Sequence, residues 1–340
     1  MVKTIDTDKF SKTLRERSIN PSQRKLLVTS FLGSEQEKDL TEPANCGGYG
    51  RIRHFRRETS PGWPANPLPI DPASKALGLG AADLLRAQVF QNASCNWRCW
   101  YCYVPFSLLA ADPKYSSWLG AADLVELYLR DPSRPNVIDL SGGQPDLVPE
   151  WIPWMMAELR SRGLEREVYL WSDDNLSNDY FWQFLSDHER ELVASYTNYG
   201  KVCCFKGFNR ESFAFNTSAA PELFERQFDL LSRYIKMDID LYCYATFSTP
   251  NEDGIHDDID RFVDDLQNLD PNLPLRVIPL EIRVFHSVAN RMEESHHRAM
   301  RNQQVAAAAW EEQLAARFTE PERARNIADV PLGKRGSAHR

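Results

Sequence analysis

No stretch of this chain approaches the roughly 18–20 uninterrupted apolar residues that a membrane span needs. The opening residues, Met1-Val2-Lys3-Thr4-Ile5-Asp6, hold no apolar core, so a cytoplasmic protein without a secretory signal is expected. Internal repeats and low-complexity tracts are lacking. Cysteine is scarce, seven in 340 residues, and an odd count does not close a secreted disulfide framework. Positive charge is not in excess either: 40 Lys and Arg stand against 48 Asp and Glu, a net −8, which disfavours a general nucleic-acid coat. With 42% hydrophobic and 26% charged residues, the composition is not that of a disordered, collagen-like or coiled-coil chain. The length allows one large α/β domain with extensions, or two domains.

Charge is unevenly spread. Residues 1–82 carry 13 Lys and Arg against 9 Asp and Glu, so the rest of the chain is strongly acidic. This first region is rich in Pro, Gly, Arg and Lys. Segments such as Asn45–Gly50 and Pro61–Pro67 read as loops, with a helix near Thr7–Glu16. It reads as an N-terminal extension, basic and loop-rich, draped on a core. Its one basic cluster, Arg51, Arg53, His54, Arg56 and Arg57, fits a solvated face or a contact for a phosphate-bearing substrate.

From about Leu84 the pattern changes to short β-branched and aromatic runs alternating with helical periodicity. Strands are expected at Ala87–Asn92, Asn136–Ser141, Glu167–Ser172, Lys201–Lys206, Met237–Phe247 and Leu275–Phe285. Helices are expected near Ala121–Arg130, Pro149–Arg162, Asn178–Phe184, Pro221–Tyr234 and Gly254–Asn268. Trp151, Met155 and Leu159 share one helical stripe. Six successive βα units imply a parallel sheet with right-handed crossovers, either open or curved into a partly closed barrel. A long final helix, with Met292, His296, Met300, Ala307, Trp310, Leu314 and Phe318 on one stripe, should close over an edge or end of it. The tail from Lys334 to Arg340 reads as frayed.

Three of the seven cysteines fall within eight residues. Immediately after the first expected strand runs Ser94-Cys95-Asn96-Trp97-Arg98-Cys99-Trp100-Tyr101-Cys102-Tyr103, a C-x3-C-x2-C pattern. Thiols this close bind metal or oxidise. Structural zinc commonly takes a second C-x2-C pair, and Cys46, Cys203-Cys204 and Cys243 do not supply one. After the second expected strand comes Ser141-Gly142-Gly143-Gln144-Pro145, where glycines let backbone approach a ligand closely.

On these two motifs the chain resembles the radical S-adenosylmethionine (radical SAM) superfamily across about residues 85–285. The resemblance implies a partial (β/α)6 TIM-like barrel over residues 83–286, with the 1–82 extension before it and a C-terminal helical segment over 287–340. It implies that Cys95, Cys99 and Cys102 hold three irons of a [4Fe–4S] cluster, and that the fourth iron is chelated by S-adenosyl-L-methionine (SAM). One-electron reduction then yields methionine and a 5′-deoxyadenosyl radical that abstracts hydrogen from substrate. Tyr101, directly before the last cysteine, and Gly142, Gly143 and Gln144 are implied cofactor contacts. Gln144 departs from the family's usual Glu and would accept from the SAM amino group without charge assistance. Weaker echoes add Ser172 and Asp174 after the third strand, Lys206 closing the fourth, and Pro279 in the sixth, where backbone lies against adenine.

In a barrel, alternate strand residues face inward. Asp240, Tyr242, Tyr244 and Thr246 should line the lumen, and Ile239, Leu241, Cys243, Ala245 and Phe247 should pack outward. Asp139, Glu281 and Arg283 add polarity to the lumen if register permits. A polar small molecule or nucleotide is the expected substrate, with a flavodoxin- or ferredoxin-type electron donor. Nucleic acid and membrane are not expected partners. The alternatives are a peptide-, protein- or RNA-modifying radical SAM enzyme, or a non-catalytic iron–sulfur or zinc-binding protein.

Overall fold

The β-branched runs build six parallel strands, and a seventh joins them from the segment that reads as loops. The computed structural model describes residues 4–333, so the expected tail lies outside the described residues. In chain order the strands are β1 (Ile19–Asn20), β2 (Lys25–Thr29), β3 (Gly50–Arg56), β4 (Leu84–Phe90), β5 (Ser116–Gly120), β6 (Val137–Leu140), β7 (Tyr169–Asp174), β8 (Tyr199–Phe205), β9 (Leu241–Thr246) and β10 (Val277–Leu280). The large sheet is ordered β10-β9-β8-β7-β6-β4-β3. β4 and β6 through β10 run parallel, whereas β3 lies antiparallel on β4, from Gly50 opposite Phe90 to Arg56 opposite Leu84. This sheet curls into a half-barrel with helices packed on it. β1, β2 and β5 form a small antiparallel sheet of their own.

The expected helices appear at Thr7–Ser18, Ala121–Leu129, Trp151–Ser161, Tyr180–Phe184, Leu223–Lys236, Ile255–Leu269 and Glu294–Arg317; Asp187–Ser195 and Arg210–Thr217 are additional. β9 starts later than its apolar run, because Asp238 takes a left-handed φ of +58° after the preceding helix.

Alternation sorts each strand between two packed layers. Leu241, Cys243 and Ala245 of β9, with Phe247 just beyond it, join Cys203 and Phe205 of β8 against the helices. Tyr242 and Tyr244 join Val202, Cys204, Tyr169 and Trp171 on the lumen side. Phe55, Leu68, Ile70 and Ala73 pack in that same lumen layer, beside residues that open β6 and β7, so the N-terminal segment forms the lumen's floor. The segment also bridges the sheet's two edges. Trp63, seven residues past β3, donates Nε1 to the Pro279 carbonyl of β10 at 3.1 Å, and the Tyr244 hydroxyl lies 3.1 Å from Asn66 Oδ1. Pro- and Gly-rich sequence therefore hides an element of the sheet and its plug.

The long C-terminal helix packs on the outer helical layer. Trp310 is fully buried, with ring centroids 5.5 Å from Phe247 and 6.1 Å from Phe262. Asn302 and Gln303 donate to the carbonyls of Thr249 and Ile282, satisfying backbone that leaves the strand ends. Trp310→Ala should destabilise the chain by about 3–5 kcal/mol, as for other large-to-small changes at aromatic core sites, measured by urea unfolding.

Candidate functional site

Beyond β4 the chain folds over the C-terminal end of the sheet, and the cysteine loop interlocks with the turn after β6. Gln144 N–H donates to the Ser94 carbonyl at 2.7 Å, and Asn92 Nδ2 donates to the Gln144 carbonyl at 2.8 Å. A Cβ on Gly143 would sit 2.3 Å from the Asn92 oxygen, and the residue's φ is +71°, so side chains are excluded twice over. Gly142, at φ +87°, is equally close to Gln91.

The loop itself is pinned from several elements. Cys95 N–H donates to Leu109, Arg98 N–H to Thr217 and Trp100 N–H to Asn216; Trp97 Nε1 reaches Thr7 Oγ1 and Trp100 Nε1 reaches Asn216 Oδ1. Arg98 Nη1 donates to the carbonyls of Cys95 (2.6 Å) and Trp97 (2.8 Å), and Arg291 Nη2 donates to that of Cys102 (2.6 Å). Cys95 and Cys99 are buried and Cys102 partly exposed. Burial pushes the Cys99 thiol up to about 12, with the Lys206 ammonium opposing and Cys102 and Cys95 reinforcing. Burial raises Cys102 as well, again with Cys95 adding to it. Each of the three thiols thus lies within electrostatic reach of another.

Among the described residues, no three His, Cys, Asp or Glu side chains converge as a single metal ion would require. A tetrahedral zinc draws its sulfurs to within about 3.8 Å of each other, given Zn–S near 2.3 Å. An iron–sulfur cubane spreads its ligands across the width of the cluster. Soft thiols on one loop, flanked by backbone that only glycine permits, fit such a group. An orphaned acceptor sits beside them: Asn175 Oδ1 is buried without a hydrogen-bond partner among the described residues. Asn175 Nδ2 lies 3.9 Å from Cys95 Sγ and donates to Asn96 Oδ1.

The other expected cofactor contacts divide between two faces. Tyr101 is buried with its hydroxyl 3.0 Å from Thr246 Oγ1. Lys206 lies on the lumen side. Burial depresses its ammonium, but Cys204, Tyr101, Cys99 and Cys95 facing it outweigh that and hold it well above its usual range. Ser172 and Asp174 instead face the outer helical layer, where Ser172 Oγ is 2.7 Å from the Tyr199 hydroxyl. Asp174 Oδ1 accepts from Gln144 Nε2 and from Leu176 N–H, both at 2.8 Å, and Oδ2 accepts from Tyr234 at 3.1 Å. Gln144 Oε1 accepts from Asn175 N–H at 2.9 Å. Its amide therefore braces the glycine turn against the end of β7. Pro279 alternates away from the lumen, and its carbonyl accepts from Trp63.

Beneath that brace is a fully buried charge cluster. Lys201 Nζ lies 2.5 Å from Asp146 Oδ2 and 3.6 Å from Asp174 Oδ2. Burial and the neighbouring Asp174 raise Asp146 to about 7 against the pull of Lys201. Lys201, depressed by burial, is held above its usual range by the two carboxylates.

Four charged residues, Arg51, Arg53, Asp139 and Asp173, meet on the lumen side; the sequence points to the basic cluster and Asp139 as bearing on substrate, but not as one group. Arg51 Nη2 donates to the Tyr103 hydroxyl at 3.0 Å, Arg53 Nη1 lies 3.5 Å from Asp139 Oδ2, and Ser141 Oγ donates to Asp173 at 2.7 Å. His54 and Arg57 of the same basic cluster pair elsewhere, with Glu42 and with Asp71 and Asp83. The missed signal is the period of two in Arg51, Arg53 and Phe55, which marks a strand face.

Removing Lys201 leaves two carboxylates buried without a countercharge. Lys201→Met should cost about 3–5 kcal/mol near pH 8. The folded variant must hold protons that the unfolded chain releases above about pH 4, so its stability falls as pH rises, and the defect should shrink at pH 5. Urea titrations at both pH values check this.

No protein-family profile matches the chain, and no curated protein does. Solved structures similar to it include Streptococcus suis SuiB bound to precursor peptide SuiA, at a TM-score of 0.39 and 13% identity over 53% of this chain. Native anSMEcpe with bound AdoMet is similar at 0.38 and 13% over 55%. This chain spans 36% of SuiB and 49% of anSMEcpe. Each likeness covers only about half of this chain.

Proposed function

We propose that this chain is a radical SAM enzyme, with Cys95, Cys99 and Cys102 holding a [4Fe–4S] cluster and the Gly142-Gly143 turn cradling S-adenosyl-L-methionine. The observation that carries the reading is the interlock itself. A C-x3-C-x2-C loop and a side-chain-free turn, at the C-terminal ends of the adjacent parallel strands β4 and β6, share backbone hydrogen bonds. When bound, the cluster and SAM supply one-electron chemistry that ends in hydrogen abstraction.

The chain's own tasks are to bind, orient and shield. Gln144 has its amide engaged in the brace, so the orphaned Asn175 Oδ1 is the better acceptor for the SAM amino group. Lys206, held protonated in the lumen, suits the methionine carboxylate. Asp174 acts through the brace, whereas Ser172 pairs with Tyr199 in the outer layer. Arg98 and Arg291 bind the carbonyls of the loop and place positive charge around a site that becomes anionic once its thiols ionise. A groove of about 970 Å³ lined by Arg98, Trp100 and Arg291 runs along the loop's outer side, where a flavodoxin- or ferredoxin-type donor would approach. The substrate is a polar small molecule or nucleotide, received in the lumen of a barrel over residues 83–286, with the segment that carries Phe55, Leu68, Ile70 and Ala73 as its floor and the helix Glu294–Arg317 as an outer support. A reducing cytoplasm suits three adjacent thiols.

Anaerobic reconstitution with iron and sulfide tests this. The wild type should bind about four irons with matching sulfide. Cys99→Ala should lose them, whereas Cys243→Ala, in the outer core, should keep them. Dithionite with SAM should release 5′-deoxyadenosine. Zinc-loaded protein without sulfide would overturn the reading.

A further inference from the structure

We propose that the lumen contains an oxyanion anchor, built by Arg51 and Arg53 of β3 with Asp139 of β6, which takes the carboxylate or phosphate group of the substrate. This deepens the enzymatic reading and rests on it. The strand that carries both arginines is the antiparallel addition from the N-terminal segment, so the anchor belongs to the extension and not to the parallel barrel.

Three features distinguish the cluster from a structural ion pair. Arg51 is 7% exposed, yet its Nε is buried without a partner among the described residues. Arg53 makes one contact with Asp139, at the 3.5 Å limit of a hydrogen bond, and its guanidinium donates nowhere else among the described residues. Asp139 is fully buried and its Oδ1 is also unpartnered. A buried donor or acceptor left unmade costs about 1–3 kcal/mol, more when charged, and this cluster holds two, Arg51 Nε and Asp139 Oδ1. Two guanidinium forks with unused N–H groups match the bidentate geometry of a carboxylate or phosphate. Burial, with Asp173 nearby, raises the Asp139 carboxyl above its usual range despite Arg53 and Arg51, which lowers the repulsion between it and a bound oxyanion.

The surroundings say where the rest of the molecule lies. Phe55, under Arg53, belongs to the floor, and Tyr103, which accepts from Arg51, directly follows Cys102. Asp173 and Lys206 beside them are partly exposed, so the space opens to solvent. A small anion-bearing molecule held by the arginines would extend between the floor and the cysteine loop.

The test is the thermal midpoint of the anaerobically reconstituted full chain in inorganic phosphate or acetate, against chloride at matched ionic strength. Phosphate, acetate or both should raise the midpoint in wild type, and the response distinguishes a phosphate ester from a carboxylate substrate. Arg53→Gln should weaken the apparent affinity about tenfold or more, the loss of charge-assisted hydrogen bonds. Arg56→Gln, exposed on the opposite face of β3, should keep it. If Arg53→Gln does not fold, Arg53→Lys, which keeps the charge and loses the fork, should show the same weakening. An unchanged response in the Arg53 variant, or no oxyanion effect in wild type, overturns the proposal. Iron content of the same samples separates the two ideas: full clusters without an oxyanion response sink the anchor alone, and an oxyanion response without clusters sinks the enzymatic reading.

Discussion

The close approach of Gly143 to the backbone of Asn92 and Ser94 is the constraint from which the site follows. No side chain fits between them, so the two segments touch through peptide groups, and their hydrogen bonds fix the cysteine loop to the sheet. The loop then needs little regular structure of its own. Its Trp97 and Trp100 ring N–H groups donate to Thr7 of the N-terminal helix and to Asn216, and its Cys102 carbonyl accepts from Arg291. A backbone preorganised in this way fixes the loop that carries the three soft thiols before any metal is bound.

Behind the turn, rigidity comes from electrostatics in a place closed to water. Gln144 transmits the position of the glycine turn to Asp174, and Asp174 shares Lys201 with Asp146. Two carboxylates around one ammonium are tolerable only with a proton retained or with hydrogen bonds from neighbours, and Tyr234 and Leu176 N–H supply the latter. The substitution of an amide at Gln144 thereby acquires a reason. A third carboxylate beside Asp174 would add uncompensated charge to a buried cluster that already holds two.

Much of this was legible in the residues. The six parallel strands follow from runs of Val, Ile, Leu and aromatics, and the two faces of β9 follow from strict alternation, with Tyr242 and Tyr244 inward and Cys243 outward. The cysteine spacing marks the loop, and the glycine pair marks the turn that meets it. What was not legible depends on contacts far apart in sequence. β3 is a strand because the exposed edge of β4 needs partners, and its arginines and Pro-rich flank mask that tendency. Which of Ser172, Asp173 and Asp174 faces the lumen follows from the inward Tyr169 and Trp171 of the same strand, which put Asp173 inward and Asp174 outward, where it meets Gln144. The orphaned Asn175 Oδ1 has no local signature, since its isolation is a property of the packed surroundings.

The central claim is an iron with an open coordination position, presented beside the glycine turn. Electron paramagnetic resonance of the dithionite-reduced, anaerobically reconstituted protein, recorded without and with SAM, tests it most directly. The expected result is the signal of a reduced four-iron cluster whose shape changes when SAM is added and does not change on adding the same buffer without SAM. A cluster signal indifferent to SAM, or the absence of any cluster signal from protein carrying its full iron, would contradict it.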